Sequence, residues 1–233
     1  MLDDRRLRIH MARSLFRKDL LLLFGNGRFV VSSIGLATLF VVISSFAFRD
    51  IGYGEAELQA LTPGIIWLIF LFTGVVSLNH SFLPEREEGA LQGILLSPVN
   101  SGVVFLSKLG NCVLFLLTLE LLITILHSLF FWPTFFEYLP SFMLVALIFS
   151  LGFASLGTLL SSISVVVKER EILLPLILFP LCIPLLIGCV ELTRIIVSGA
   201  ALPYFGFWFT LVVVFDLISL TLSWALFEPL IHS

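Results

Sequence analysis

Charge is what this 233-residue chain has least of: Asp, Glu, Lys and Arg together make up 12% of it, about half the ~25% of an ordinary soluble domain. Apolar residues reach 59%, so a soluble globular fold is excluded. Cysteine is scarce too, with three residues, Cys112, Cys182 and Cys189. None sits in a C-x-x-C pair, so neither a zinc centre nor a redox dithiol is indicated. Cys182 and Cys189 lie seven apart and share a helix face, where they read as small packing residues. A phosphate-cradling G-x-x-x-x-G-K-[ST] loop is missing, as are H-E-x-x-H and a serine in a nucleophile elbow. The chain is therefore expected not to be an enzyme. The apolar runs do not alternate with polar residues, which excludes a β-barrel. There is no internal repeat, no low-complexity tract, and no loop long enough to fold as a separate exterior domain.

What the sequence does have is long apolar runs. A helix needs about 20 such residues to cross a bilayer, because each backbone polar group must be satisfied within the segment. Six runs qualify, at residues 29–48, 63–83, 103–131, 141–167, 172–192 and 207–227. The expected fold is all-α, a polytopic membrane protein of six transmembrane helices. Of the 13 Lys and Arg residues, all but Arg49 and Arg194 fall on one side of these runs. The positive-inside rule then places both termini in the cytoplasm. The first run is too long, and its charged lead too extended, for a cleavable signal peptide.

Residues 1–28 form a separate cytoplasmic unit. Within residues 5–23, Leu7, Met11 and Leu15, and Ala12, Phe16 and Leu20, recur at helical spacing, while Arg6, His10, Arg13 and Arg17 take another face. A basic amphipathic helix of this kind lies at the headgroup level. It is either a simple anchor or a connecting helix that also touches a cytoplasmic partner. Gly25-Asn26-Gly27 is expected to turn the chain into the first span. Pro63 is expected to open the second span after a short acidic exterior loop. The fourth carries Ser150, Ala154, Thr158 and Ser162 four residues apart, a register for close helix packing, at a dimer seam or elsewhere. The fifth holds Pro175, Pro180 and Pro184 and is expected to be bent or broken.

Between the second and third spans lies a charged island, the coupling segment 84–100. Glu85, Glu87 and Glu88 begin a short helix, where negative charge suits the helix dipole. Leu91, Ile94 and Leu95 follow as an apolar ridge fit for a groove in another protein. Glu85, Arg86, Glu87, Glu88, Gly89 and Leu91, with Lys168 and Arg170 in the loop before the fifth span, are the candidate docking residues for a cytoplasmic subunit. Inside the membrane, Glu120, Thr124 and His127 lie at i, i+4 and i+7 on the third span and make a narrow polar stripe. An ionisable group costs about 2.5–3.5 kcal/mol at that depth and becomes a functional candidate. The stripe either lines a passage or is hydrogen-bonded across a helix contact. Asp216 and Glu191 are further candidates.

The run from Pro63-Gly-Ile-Ile-Trp67 through Leu78-Asn-His-Ser-Phe82, Glu85-Arg-Glu-Glu-Gly-Ala-Leu91 and Leu95-Leu-Ser-Pro98 resembles the heme exporter protein B family. Phe16-Arg-Lys-Asp19 and the surroundings of Lys108 support the resemblance, which covers essentially the whole chain. His80 departs from it, standing where the family is expected to have arginine, so no role is carried to that position. The resemblance implies an ABC-exporter-type permease at residues 29–233 in a bacterial inner membrane, working in cytochrome c maturation. It further implies a second copy of the chain, two ATP-binding subunits, haem-handling membrane proteins and, indirectly, a periplasmic haem chaperone. ATP would act only through the partner subunit, and haem would be a transported or handled ligand. Of the four histidines, His10, His80, His127 and His232, His80 and His127 fall at opposite ends of neighbouring spans and do not make a shared axial site. A permease for polysaccharide or drug, and a non-transporting scaffold for chaperone release, are the alternatives.

Overall fold

The computed structural model describes residues 16–18, 20–21, 25, 27–49, 54–81, 101–163, 170–198 and 202–231. Among them run six membrane-length helices: α1 (Gly27–Arg49), α2 (Glu55–Ser81), α3 (Ser101–Phe130), α4 (Leu139–Ile163), α5 (Arg170–Ser198) and α6 (Leu202–Ile231), with a 3-10 turn, Pro133–Tyr138, joining α3 to α4. No strand occurs among the described residues. At ~1.5 Å per residue, a 30-residue helix such as α3 or α6 is about 45 Å long and outruns a ~30 Å hydrocarbon core.

The helices are not equivalent. α2 and α4 are largely enclosed, whereas α1 and α6 turn most of their length outward. α4 packs against α3, α5 and α6, and α2 against α1, α3 and α5, while α1 touches only α2 and α3 among its principal neighbours. Outward faces carry large apolar side chains such as Ile43, Phe46, Leu176, Ile183, Leu217 and Trp224. Where lipid is the solvent, apolar residues have no reason to turn inward, and close packing holds the helices together instead.

That packing centres on Trp67 of α2. Its ring lies 4.8 Å from Phe149 and 5.4 Å from Phe142 of α4, and 6.0 Å from Phe70. Its indole N–H donates to Thr193 Oγ1 of α5 at 2.9 Å. Helix approach elsewhere depends on a missing side chain: a Cβ on Gly157 of α4 would overlap the Leu78 side chain of α2.

Two expectations need correction and two are narrowed. α2 does not open at Pro63; it begins at Glu55 and takes in the stretch read as an exterior loop. Proline removes a single N–H, and that end of α2 is held by other bonds. Gln59 Nε2 donates to the Val197 carbonyl at 2.9 Å, and Thr62 Oγ1 to the Leu58 carbonyl at 2.8 Å. α5 is not broken by its three prolines; it is continuous and extends to Ser198, past both Leu192 and Arg194. Neighbouring helices support backbone groups that proline frees within a membrane. The small-residue face of α4 is used inside this chain: Ser150, Ala154 and Thr158 are fully buried, and Ser223 of α6 donates to the Ser155 carbonyl at 3.0 Å. Ser162's side chain lies outside the described set. Lastly, Gly25 is helical and Gly27 already belongs to α1; glycine permits a turn but does not impose one.

Of the N-terminal unit, Phe16–Lys18 is helical and meets α3. Asn111 Nδ2 donates to the Phe16 carbonyl at 3.1 Å, and the Phe16 ring covers Gly110. Thus this part of the segment packs on protein rather than on lipid alone. Leu20 and Leu21 are also helical, and the other residues of 5–23 lie outside the described residues.

Candidate functional site

The polar stripe of α3 faces the protein interior. Glu120 is 2% exposed and Thr124 and His127 not at all. Thr124 Oγ1 donates to the Glu120 carbonyl at 2.6 Å and Ser128 Oγ to the Thr124 carbonyl at 2.9 Å, so these hydroxyls are satisfied along their own helix. Glu120 instead reaches a neighbour: Ser150 Oγ of α4 donates to Oε2 at 3.1 Å. The carboxyl's other oxygen, Oε1, meets no donor among the described residues.

One turn or two toward the exterior, His127 Nε2 stands 3.4 Å from Thr62 Oγ1 of α2. Thr62 gives its own proton to the Leu58 carbonyl, so its oxygen is left to accept from the imidazole. His127 also stacks on Phe131, with ring centres 4.7 Å apart, and meets the edge of Phe135 at 5.9 Å. Its other ring nitrogen, Nδ1, meets no partner among the described residues.

Asp216 of α6 joins this seam from the far side. It is 6% exposed, and its Oδ1 fills the space where a Cβ on Gly152 of α4 would stand. No described donor reaches that oxygen. Two carboxyls on two helices thus meet α4, Glu120 at Ser150 and Asp216 at Gly152. Phe149, Phe153, Leu116 and Ile123 are fully enclosed beside them. The stripe is hydrogen-bonded across a helix contact and does not line an open passage among the described residues. The three cysteines are free and buried. Glu191 is outside the seam and pairs with Arg194 of its own helix at 2.5 Å.

A cavity of about 270 Å³ opens at the exterior ends of α1–α3, bounded by Ser45, Phe48, Leu58, Leu129, Phe130, Phe131 and Pro133. It is separate from Glu120, although Phe131 forms both its wall and the surface on which His127 stacks.

The candidate docking residues Glu85, Arg86, Glu87, Glu88, Gly89, Leu91 and Lys168 lie outside the described residues; Arg170 begins α5, its side chain likewise outside. Along the chain the coupling segment ends one residue before α3 begins at Ser101. Sequence reading identified Glu120 but not its partner. Ser150 appeared there only as a member of the small-residue register, Trp67 only within the family-like run, and Gly152 and Thr193 carried no signal, because nothing along the chain tells which face of one span will meet another.

Residues 10–228 match the family model described as CcmB protein. The chain belongs to the CcmB family. That match encloses all six spans, the coupling segment and the seam. Among curated relatives, a heme exporter protein B of Rhodobacter capsulatus is 29% identical over 195 residues, covering 82% of this chain and 85% of the relative. A heme exporter protein B of Pseudomonas aeruginosa is 28% identical over 148 residues, 63% of this chain and 65% of the relative. One of Paracoccus denitrificans is 26% identical over 168 residues, 71% of this chain and 76% of the relative. This CcmB-family chain is a multi-pass, all-helical membrane protein.

Proposed function

We propose that this chain is the membrane permease subunit of an ABC-type complex serving cytochrome c maturation in a bacterial inner membrane. ATP is hydrolysed by a separate cytoplasmic subunit, and the work is directed to haem delivery or to release of a haem-loaded periplasmic chaperone. The observation that carries this reading is the family match over residues 10–228, joined to relatives named for haem export.

The geometry supports a coupling role. The proposed docking segment 84–100 immediately precedes α3 along the chain, and α3 is tied to three other elements. Asn111 holds the Phe16 carbonyl of the N-terminal segment, Phe115 stacks on Phe29 of α1 with centres 4.9 Å apart, and Glu120 holds Ser150 of α4. A push delivered at the start of α3 therefore reaches α1, α4 and the N-terminal segment together. The closed seam favours a second reading within this frame: the chain acts as a scaffold that transmits movement, and any haem it handles meets an outer surface or an interface between copies.

The test is purification of the tagged chain from native membranes in mild detergent, with its companions identified. An ATP-binding subunit together with haem-handling maturation proteins supports the proposal. An ATPase with unrelated partners would replace it with a general exporter, and the absence of any ATPase would overturn it. Vesicles reconstituted with the recovered complex and scored for haem crossing then separate conduit from scaffold.

A further inference from the structure

We propose that the cavity at the ends of α1, α2 and α3 is a binding site for an organic ammonium ion, a short alkylamine in its protonated form. The cavity holds about 270 Å³, just under the ~300 Å³ at which pockets for drug-sized molecules begin, so its occupant is small. It lies where the first and third spans end, at Phe48 and Phe130, opposite the end of α3 that follows the coupling segment.

Its walls are of two kinds. One is aromatic: Phe48 and Phe131 meet edge to face with ring centres 6.2 Å apart, and Phe130 stands beside them. His127 fixes Phe131 from the protein side, with ring centres 4.7 Å apart. The other wall is the closing turn of α3. A helix ends with carbonyls that no later amide of the helix reaches, and the sequence here deepens the shortage. The amides of Phe131 and Trp132 both donate to the His127 carbonyl, at 2.8 and 3.3 Å, and Pro133 has no N–H to give. The carbonyls of Ser128 and Leu129 therefore receive no donor among the described residues, and that of Phe130 receives Ser45 Oγ alone. Ser45, Leu129, Phe130 and Pro133 all border the cavity.

Both walls select a cation. Aromatic faces attract positive charge through the ring quadrupole, and a helix C-terminus carries partial negative charge. An alkylammonium brings three donors, as a lysine side chain does, to a turn that has acceptors to spare. No charged side chain borders the cavity among the described residues; along the chain Arg49 and Asp50 follow Phe48 and offset one another. An acyl chain would fill the apolar part but leave the carbonyls without a donor, which is costly away from water. A hard metal ion such as Ca²⁺ takes six to eight oxygens, more than one helix end supplies. Water satisfies the carbonyls and gains nothing from the rings. The ammonium group has two sources, the amine headgroup of a membrane lipid and a free alkylamine.

Calorimetric titration of the purified full chain in maltoside micelles, which contain no amine, tests the site. Butylammonium is the probe, protonated at neutral pH as lysine is, and butanol is its uncharged counterpart. We expect saturable binding of butylammonium at one site per chain, several-fold tighter than butanol. Phe48→Leu keeps apolar bulk and removes a ring face; it should weaken butylammonium about two- to fivefold and leave butanol unchanged. Leu58→Trp fills the cavity and should abolish binding of both, and either variant that folds suffices. Phosphatidylethanolamine added to the micelles displaces butylammonium if the lipid headgroup is the source, whereas amine-free phosphatidylglycerol does not. Butylammonium binding that persists beside phosphatidylethanolamine assigns the site to free amines. Absence of saturable butylammonium binding, equal binding of butanol, or unchanged butylammonium affinity in a folded variant would each overturn the proposal.

Discussion

Thr193→Val isolates one bond between the two halves of the bundle. Thr193 Oγ1 accepts the Trp67 indole N–H at 2.9 Å and donates to the Cys189 carbonyl at 2.8 Å. Valine keeps the volume and removes the acceptor, leaving the indole N–H without a partner in a dry interior. An orphaned donor costs about 1–3 kcal/mol in soluble proteins. Interhelical bonds within membranes average ~0.6 and reach ~1.7 kcal/mol, because the chain unfolded in lipid also finds partners. We therefore expect Thr193→Val to cost about 1 kcal/mol. Trp67→Phe loses the same bond and part of a ring packed at 4.8–6.0 Å from Phe149, Phe142 and Phe70, in total roughly 2–3 kcal/mol on the scale of large-to-small core changes. The double variant should fall short of additivity by about 0.6–1.7 kcal/mol. Reversible unfolding of the purified protein in mixed micelles, titrated with denaturing detergent, measures all four corners of the cycle. Additivity within ~0.3 kcal/mol would show that this bond does not join α2 to α5 energetically, and the reasoning from it would fail.

Other consequences are equally open to measurement. Gly157→Val drives a branched side chain into Leu78 and should cost about 1–3 kcal/mol, whereas Gly35→Ala, with nothing within 4 Å, should be neutral or stabilise by up to ~1 kcal/mol; the same micelle titration reads both. Asn111→Leu removes the donor to the Phe16 carbonyl and should speed limited proteolysis ahead of α1 without shifting the detergent midpoint by more than about 1 kcal/mol. Reversing Glu87 and Glu88 to lysine should reduce recovery of an ATP-binding subunit in pull-downs several-fold, while expression of the chain stays unchanged; undiminished recovery would remove the coupling segment from the docking role.

How much was legible beforehand differs by level. The Glu120 stripe was visible because its three polar residues recur on one helical face, yet its meaning was undecided between passage and packing. Ser150 resolved that, and it comes from a different span. Pro63 misled for a local reason: proline at a helix start is common, but the bonds of Gln59 and Thr62 that carry α2 back to Glu55 depend on neighbours 138 residues away and within the turn. The prolines of α5 left a bend and a break both open, since their effect depends on what packs beside them, and the helix runs unbroken.

The sequence by itself determined that this chain is a six-span, all-helical membrane protein and to which family it belongs. Both follow from properties summed along the chain: apolar length against bilayer thickness, and a run of matching residues. Only the tertiary structure decided that α2 and α4 form the centre, that the small-residue face of α4 serves the chain's own packing, and that Glu120 meets Ser150 while Asp216 meets Gly152. In lipid every span is apolar all round, so hydrophobicity cannot say which face turns inward. Steric fit and a few hydrogen bonds make that choice, and they exist only between helices already assembled.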